Sequence, residues 1–302
     1  MATQLRIAFI KDWHDDAESI ASNKDGILAA FDVLAQRYHV DFFSHHNWEG
    51  KPPQSGYDVI ICWGSLDRPW HNELPKDIPA LLCFAGGPTV HPYLHNFDHI
   101  FVESEVYEKA FNNHIIGVSR AFGTNTKIFQ YESKTPKVFD AIYPASFCHH
   151  KNHEVFARAF GNRGLCVGQF NEPDIVGKCL QLGTPVLRRV SSASLCNLYN
   201  MSRVTVIPCG PQGGSQRTVL ESMACGTPVV LANDNDRCAE FVQESGFGKL
   251  VPPIPEAMRE AVDYLISNPL DPQVGVDYIR SKWTEHHYAD ALEKGIKQCL
   301  NR

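Results

Sequence analysis

Apolar and polar stretches alternate along most of the chain, in lengths typical of short buried strands and amphipathic helices. In the first 133 residues, apolar runs are separated by turns and by segments with helical spacing. The runs that predict strands are Leu5–Ile10, Val40–Phe43, Tyr57–Trp63, Ala80–Ala85 and His99–Val102. This alternation predicts a parallel sheet with helices on both of its faces.

A second region of the same kind follows a polar, proline-containing break near Glu132–Lys137. Strand-like segments alternate there with helix-like ones. The predicted strands are Val138–Tyr143, Leu165–Val167, Val186–Leu187, Val204–Pro208, Val229–Ala232 and Gly248–Val251. The sequence therefore predicts two doubly wound domains, over residues 1–133 and 134–278. Ligands of such sheets bind outside the carboxyl ends of the strands. The tail 276–300 is helical and is expected to form two helices.

The composition is ordinary for a globular protein, with 43% hydrophobic and 21% charged residues in 302. No apolar run reaches the 18 residues of a membrane span, and the first residues lack the layout of a signal peptide. The 10 cysteines are scattered, without a Cys-x-x-Cys pair. They are expected to be reduced core thiols, and the protein is expected to be cytoplasmic without stable membrane insertion.

The negative charge is concentrated in the first part of the chain. Residues 1–133 hold 10 basic and 17 acidic side chains, whereas the rest of the chain is nearly neutral. A surface this acidic is unfavourable for a polyanion, because nucleic-acid binding depends on Lys and Arg side chains that neutralise phosphates. The charge balance therefore disfavours a nucleic-acid partner.

The segment 213–230 is the most informative in the chain. It reads as a glycine-rich turn at Gly213 and Gly214, a short amphipathic helix, a Gly-Thr-Pro stop and an apolar strand. Such a turn leaves backbone N–H groups and the positive end of the helix dipole available to phosphate. The carboxylate of Glu221, about one turn deeper, is placed to accept hydrogen bonds from sugar hydroxyls. The combination suits a nucleotide or a nucleotide sugar, although the same turn also suits a tight strand–helix connection.

Two other polar segments have simpler interpretations. Lys24–Gly26 indicates a helix N-cap rather than a phosphate loop. Three histidines lie around Lys151, namely His149, His150 and His153. No carboxylate or cysteine stands near them at the spacing of zinc ligands, so a polar loop is expected there and no metal site.

Glu221–Leu231, followed by Glu240 and Gly246–Pro253, resembles the donor-binding core of glycosyltransferase family four, whose members have the GT-B fold. Further matches fall in the family's order at Ala121–Phe129, His150–Phe160, Leu187–Ser191 and Trp283 with the final helix. The resemblance covers residues 121–300 well and 1–120 only in pattern. It implies an α/β GT-B protein with two doubly wound Rossmann-like domains that face a central cleft. The first is the acceptor-side domain, and a C-terminal helix at 279–302 packs back on it.

The resemblance also implies a reaction, which is transfer of a hexose from a nucleotide diphosphate sugar, a UDP-sugar, to a hydroxyl acceptor. Retention at the anomeric carbon is expected, without a metal or another cofactor. Lys151 would neutralise the diphosphate, Glu221 would hold the ribose hydroxyls, and the main chain at Arg189 and Val190 would face the base. The backbone amides that would cradle phosphate and sugar are those around Gly213, Gly214, Ser215, Gln216, Arg217 and Thr218. His91 would face the transferred sugar, or is a loop histidine with local hydrogen bonds.

The chain departs from the family at two positions. The first of the family's two glutamates falls on Gly213, and the arginine that accompanies the lysine falls on Ser146. Arg217 is a hypothetical source of the missing charge. A nucleotide-sugar epimerase or hydrolase and a non-catalytic nucleotide-sugar-binding protein are the alternatives. The acceptor is a glycan, a lipid or a protein, with a hydroxymethylated DNA base as a minority option.

Overall fold

The computed structural model describes residues 4–11, 24–44, 52–86, 92–112 and 117–301. The chain forms two compact units, one up to Gly123 together with the residues from Glu285 on, and the other Thr124–Thr284. The chain thus leaves the first unit after Gly123, ten residues before the boundary that the sequence predicts after residue 133. The side chain of Asn200 attaches residues 130 and 132 to the second unit, because it accepts a hydrogen bond from the Glu132 N–H (2.8 Å) and donates one to the Gln130 carbonyl (2.8 Å).

The first unit contains a parallel sheet with the strand order β2-β1-β3-β4-β5-β6. The strands are β1 Arg6–Lys11, β2 His39–Ser44, β3 Val59–Gly64, β4 Ala80–Phe84, β5 His99–Val102 and β6 Val118–Arg120. The helices are α1 Gly26–Leu34 and α2 Glu105–Phe111. All five residues of β4 are buried, as expected for a strand covered on both faces. The predicted N-cap is confirmed, because the Asp25 carboxylate accepts a hydrogen bond from the Leu28 N–H (3.2 Å).

The second unit contains a parallel sheet with the order β12-β11-β10-β7-β8-β9. Its strands are β7 Phe139–Pro144, β8 Gly164–Gly168, β9 Val186–Arg188, β10 Ser202–Ile207, β11 Val229–Ala232 and β12 Gly248–Val251. Its helices are α3 His153–Phe160, α4 Pro173–Gln181, α5 Ser192–Asn200, α6 Gln216–Ala224, α7 Asp236–Ser245, α8 Pro255–Ser267 and α9 Pro272–Lys282. From the neighbouring strands β7 and β10 the chain winds in opposite directions. Their connections therefore diverge and leave a crevice at the carboxyl ends of the two strands.

Helix α10, Glu285–Leu300, belongs to the first unit and packs on α1. Its buried face includes Tyr288, Leu292 and Ile296. At the edge of this contact Arg37 forms an ion pair with Asp290 (2.8 Å), and the Tyr38 hydroxyl donates to Glu293 (2.7 Å). The tail thus forms the two predicted helices, α9 and α10.

Glu293 makes the attachment of α10 sensitive to acid. Hydrogen bonds from Lys297, Tyr38 and Arg37 lower the pKa of Glu293 to about 2. A carboxyl group with a depressed folded-state pKa stabilises the fold above its unfolded pKa and loses this contribution as the pH falls towards the folded value. We expect Glu293→Gln to lower the free energy of unfolding at pH 7 by about 1 kcal/mol and to flatten its decrease between about pH 5 and 2. Urea unfolding across this range measures both effects.

Glu260→Gln, at an exposed position of α8, is the control for the loss of one carboxylate. The same acid dependence in Glu293→Gln and the wild type would contradict the assignment.

Candidate functional site

The loops that follow β7 and β10 lie side by side at the switch point of the second unit. After β7 the chain forms a 3₁₀ turn, His149–Lys151, and after β10 it forms another, Pro211–Gly213. Asn152, in a left-handed conformation (φ 53°), donates from its amide to the Pro208 carbonyl (3.1 Å). This bond holds the first loop against the second and brings Lys151 next to the glycine-rich turn.

Lys151 is half-buried and donates from Nζ to the Gly213 carbonyl. Its own carbonyl accepts a hydrogen bond from the Tyr143 hydroxyl (2.8 Å). Burial is the main cause that lowers the pKa of Lys151. No carboxylate in the described part of the chain forms an ion pair with its ammonium group. A half-buried cation that meets a main-chain carbonyl and, among the described residues, no carboxylate favours an anionic ligand.

The turn before α6 combines two left-handed residues. Gly214 has φ 61° and Ser215 has φ 86°, which is an unusual conformation for a residue with a side chain. Ser215 makes no side-chain cap hydrogen bond with α6, and its hydroxyl lies 3.6 Å from Sγ of Cys209 instead. The positive end of α6 is therefore left without a side-chain cap. In the first turn, Gln216 and Thr218 are buried and Arg217 is exposed.

Glu221 is buried, with 4% of its surface exposed. The Tyr199 hydroxyl of α5 donates to its Oε2 (3.2 Å), and Nε of Arg217 lies 3.7 Å from its Oε1. Burial raises the pKa of Tyr199, so this phenol remains a hydrogen-bond donor at neutral pH. Arg217 is thus paired with Glu221 along one face of α6.

Gly213 has no room for a side chain. A Cβ at this position would collide with Cβ and Sγ of Cys209 and would lie 3.2 Å from the His150 carbonyl. The position where the family has a glutamate is therefore occupied here by the packing of Cys209 against the main chain. The main-chain carbonyl of Gly213 accepts the hydrogen bond from Lys151.

The remaining predicted residues lie around this centre or outside the described residues. Arg189 is exposed and Val190 half-buried, directly after β9 and at the same edge of the sheet. Ser146 is half-buried in the loop that leads to Lys151. His91 lies outside the described residues.

The histidines near Lys151 have different environments. His153 is buried and stacked on Phe147, with 4.4 Å between ring centroids, and burial lowers its pKa to about 3. His149 is exposed, and its Nε2 lies 3.0 Å from Glu172 and 3.7 Å from Asp174. The sequence around His149 gives no sign of these two carboxylates, because they lie more than 20 residues further along the chain, at the start of α4. Glu172 also accepts a hydrogen bond from the main-chain N–H of His149 (3.0 Å), so we interpret these contacts as surface hydrogen bonds that fix the 3₁₀ turn.

One charged pair was not found from the sequence. At the switch point of the first sheet, between β1 and β3, Lys11 Nζ lies 2.8 Å from Oδ2 of Asp25 and 4.7 Å from the Trp63 ring centroid. Both charged side chains are buried, at 1% and 11% exposure. The only signal in the sequence was a lysine at the end of an apolar strand, followed by the N-cap aspartate of the next helix.

Comparisons with known proteins agree with this architecture. Residues 140–268 match the model of the family described as glycosyl transferases group 1. Sucrose-phosphate synthase from Thermosynechococcus elongatus is 15% identical, with a TM-score of 0.75 over 99% of this chain and 100% of its own. A glycosyltransferase from Rickettsia africae is 14% identical, with a TM-score of 0.75 over 99% of both chains. The Anabaena protein HepE, in complex with UDP, is 13% identical, with a TM-score of 0.66 over 97% of this chain and 100% of its own.

These likenesses establish the predicted fold, which is GT-B with two parallel-sheet α/β units. No curated protein sequence matches the chain significantly. Across the described residues, no helix combines the length and apolarity needed to span a bilayer.

Proposed function

We propose that this chain is a glycosyltransferase that moves a hexose from a nucleotide diphosphate sugar to a hydroxyl acceptor. The observation on which this rests is the contact between Lys151 and the Gly213 carbonyl, next to the uncapped start of α6. A cation and a helix N-terminus converge there at a topological switch point, where α/β sheets bind their ligands. The group 1 match over residues 140–268 covers this site.

Each part of the donor has a place in this proposal. The diphosphate lies between Lys151 and the backbone N–H groups of Ser215, Gln216, Arg217 and Thr218. The expected contribution of the two glycine N–H groups is corrected by the structure, because Gly213 donates to the Gly210 carbonyl (2.9 Å) and Gly214 to the Pro211 carbonyl (3.4 Å). Glu221 accepts hydrogen bonds from the ribose hydroxyls, since Tyr199 and Arg217 hold its carboxylate in a fixed orientation. The main chain at Arg189 and Val190 faces the base. The complex of the Anabaena neighbour with UDP supports uridine as the nucleoside.

The chemical step needs stabilisation of the leaving group. The acceptor oxygen forms a bond to the anomeric carbon as the bond from that carbon to the β-phosphate oxygen of the donor breaks. Negative charge builds up on the β-phosphate of the departing nucleotide, which takes up the proton of the acceptor hydroxyl. A positioned cation and fixed N–H dipoles stabilise such charge without reorganisation, which is the largest contribution in reactions of this type. Lys151 and the start of α6 supply these groups, so the proposed reaction needs no metal to stabilise the leaving group. Retention at the anomeric carbon is proposed from the resemblance to family four alone.

A non-catalytic nucleotide-sugar-binding protein is the second candidate. It is favoured by the packing at Gly213, which excludes the family's first glutamate from the sugar side of the site. Under this candidate the protein binds the donor with similar affinity but forms no product with any acceptor.

The compartment is proposed from the cysteines. All ten are buried and form no disulfide, among them Cys196 and Cys225, whose sulfurs lie 3.7 Å apart. Ten cysteines without a disulfide suit a reducing compartment, so we propose that the protein acts in the cytoplasm.

Thermal unfolding with a panel of nucleotides tests the donor. We expect UDP and one UDP-sugar to raise the melting temperature in the presence of EDTA, because a ligand that binds only the folded state stabilises it by mass action. At a UDP concentration of about 100 Kd the gain is about 2.7 kcal/mol. Glu221→Ala is expected to remove the preference for ribonucleotides over 2′-deoxy analogues, since the ribose hydroxyls lose their acceptor.

Glu256→Ala, at an exposed position of α8, is the control and keeps the wild-type response. Product analysis with the stabilising donor, alone and with glycan, lipid, peptide and hydroxymethylated DNA acceptors, separates transfer from hydrolysis and from binding alone. NMR of the product identifies its anomer. Absence of any nucleotide response in the wild type would exclude the proposed function.

A further inference from the structure

The Asn235 side chain connects the two ends of the glycine-rich loop. Asn235 is fully buried, directly before α7, and its amide donates to the carbonyls of Cys209 (2.9 Å) and Gly214 (2.9 Å). Asparagine is favoured before a helix because its side-chain oxygen caps the first turn. Asn235 makes no such cap, and its Oδ1 has no hydrogen-bond partner in the described structure. Helix capping therefore does not explain this side chain.

The start of α7 binds the loop at a third carbonyl as well. Nη1 of Arg237 donates to the Pro211 carbonyl (2.9 Å), and Sγ of Cys238 donates to the Gly214 carbonyl (3.1 Å). The carbonyls of residues 209, 211 and 214 are thus directed towards α7, whereas the Gly213 carbonyl meets Lys151. In a trans peptide the N–H group points opposite to the carbonyl, so the Ser215 N–H is directed away from α7.

We propose that Asn235 is a positioning residue for donor binding, which holds the glycine-rich loop so that the Gly213 carbonyl meets Lys151 and the Ser215 N–H faces the diphosphate. This inference rests on the proposed function. Asn235 itself does not contact the donor. It acts through the main chain, by fixing the direction of the two peptide groups whose carbonyls accept hydrogen bonds from its amide.

Asn200 provides a matched control in the same unit. It is also fully buried, and its amide likewise donates to two main-chain carbonyls, of Gln130 (2.8 Å) and Cys196 (3.1 Å). Those carbonyls lie outside the glycine-rich loop. Leucine has nearly the shape of asparagine and removes the donors. Asn235→Leu deletes two buried hydrogen bonds to main-chain carbonyls, and Asn200→Leu deletes two such bonds and also the one that its Oδ1 accepts from the Glu132 N–H. The control therefore loses at least as many hydrogen bonds as the test variant.

The experiment compares UDP affinity, by calorimetry, with stability, by urea unfolding, at a temperature at which both variants are folded. Both substitutions lower stability. We expect Asn235→Leu to weaken UDP binding by about tenfold or more, and Asn200→Leu by less than about twofold. Asn235→Ser, which keeps one donor, is expected to recover part of the affinity. If Asn235 contributed only to stability, the two leucine variants would not differ in UDP affinity.

UDP affinity of Asn235→Leu within about twofold of wild type, or an equal loss in Asn200→Leu, would overturn the inference. If Asn235→Leu does not fold, Asn235→Ser is judged by the same comparison with Asn200→Ser. Failure of the wild type to bind UDP or any nucleotide sugar would instead refute the proposed function, so the two failures are distinguishable.

Discussion

Replacing Lys151 with methionine is expected to lower kcat/KM for the donor by about 10²- to 10³-fold. Methionine keeps much of the buried length of the side chain and removes only the ammonium group, which donates to the Gly213 carbonyl. The charge on the departing diphosphate then lacks its cation in a partly buried site, where electrostatic interactions are strong. Steady-state kinetics with the identified donor and acceptor measure the loss, and UDP calorimetry shows how much of it is already present in the ground state.

Lys134→Met is the control for Lys151→Met, because Lys134 is exposed in the polar segment that precedes β7. It is expected to keep wild-type kinetics. A loss below about fivefold in Lys151→Met would remove Lys151 from the diphosphate site.

The same lysine gives the reaction a pH dependence. Burial lowers the pKa of Lys151, so its charge is lost on raising the pH earlier than that of an exposed lysine. UDP binding therefore weakens at alkaline pH. The diphosphate favours the charged amine and raises its pKa, so UDP binding takes up protons in this range. Calorimetry in two buffers of different ionisation enthalpy measures this uptake, which Lys151→Met abolishes.

Gly213→Ala is expected to lower the free energy of unfolding by about 1 to 3 kcal/mol, as for other overpacked cores. The added methyl group collides with Cys209 and lies close to the His150 carbonyl, so the loop has to move. Because the Gly213 carbonyl is the acceptor for Lys151, the same movement weakens UDP binding. Gly213→Glu, which places a glutamate where family four has one, therefore reduces donor affinity further instead of improving it. Urea unfolding and UDP calorimetry measure the two effects.

Gly177→Ala is the matched control for Gly213→Ala. Gly177 lies within α4, and a Cβ there would have no neighbour within 4 Å. Alanine is favoured over glycine inside a helix, so this variant gains up to about 1 kcal/mol. If Gly213→Ala also keeps or gains stability, the account of the missing glutamate is wrong.

Several strands were predictable at residue level. The bounds of β5, β11 and β12 are those expected from the sequence, because strands of a parallel sheet are buried on both faces and read as short apolar runs. Strand β6, Val118–Arg120, was missed, since its three residues are only half-buried and form no apolar run. Pairing with β5 places it in the sheet.

The site was predictable only in part, for a related reason. The turn and helix at 213–224 follow from adjacent glycines and helical spacing, which are local properties of the chain. The contact of Lys151 with Gly213 joins residues 62 positions apart, and Asn235 reaches the loop from beyond the following strand. Such contacts depend on which strands are neighbours in the sheet, and local pattern does not determine that.

The sequence by itself therefore determined the alternating α/β order, the two sheets and the glycine-rich turn before α6. These features depend on hydrophobic periodicity and on glycine conformations, both of which act over a few residues. The tertiary structure decided that Lys151 is bound to the Gly213 carbonyl, that Cys209 leaves no space for a glutamate at that position, and that Asn235 holds the loop. These outcomes result from the packing of the β7 and β10 loops and the start of α7, where side-chain volume and hydrogen-bond direction are settled between distant segments.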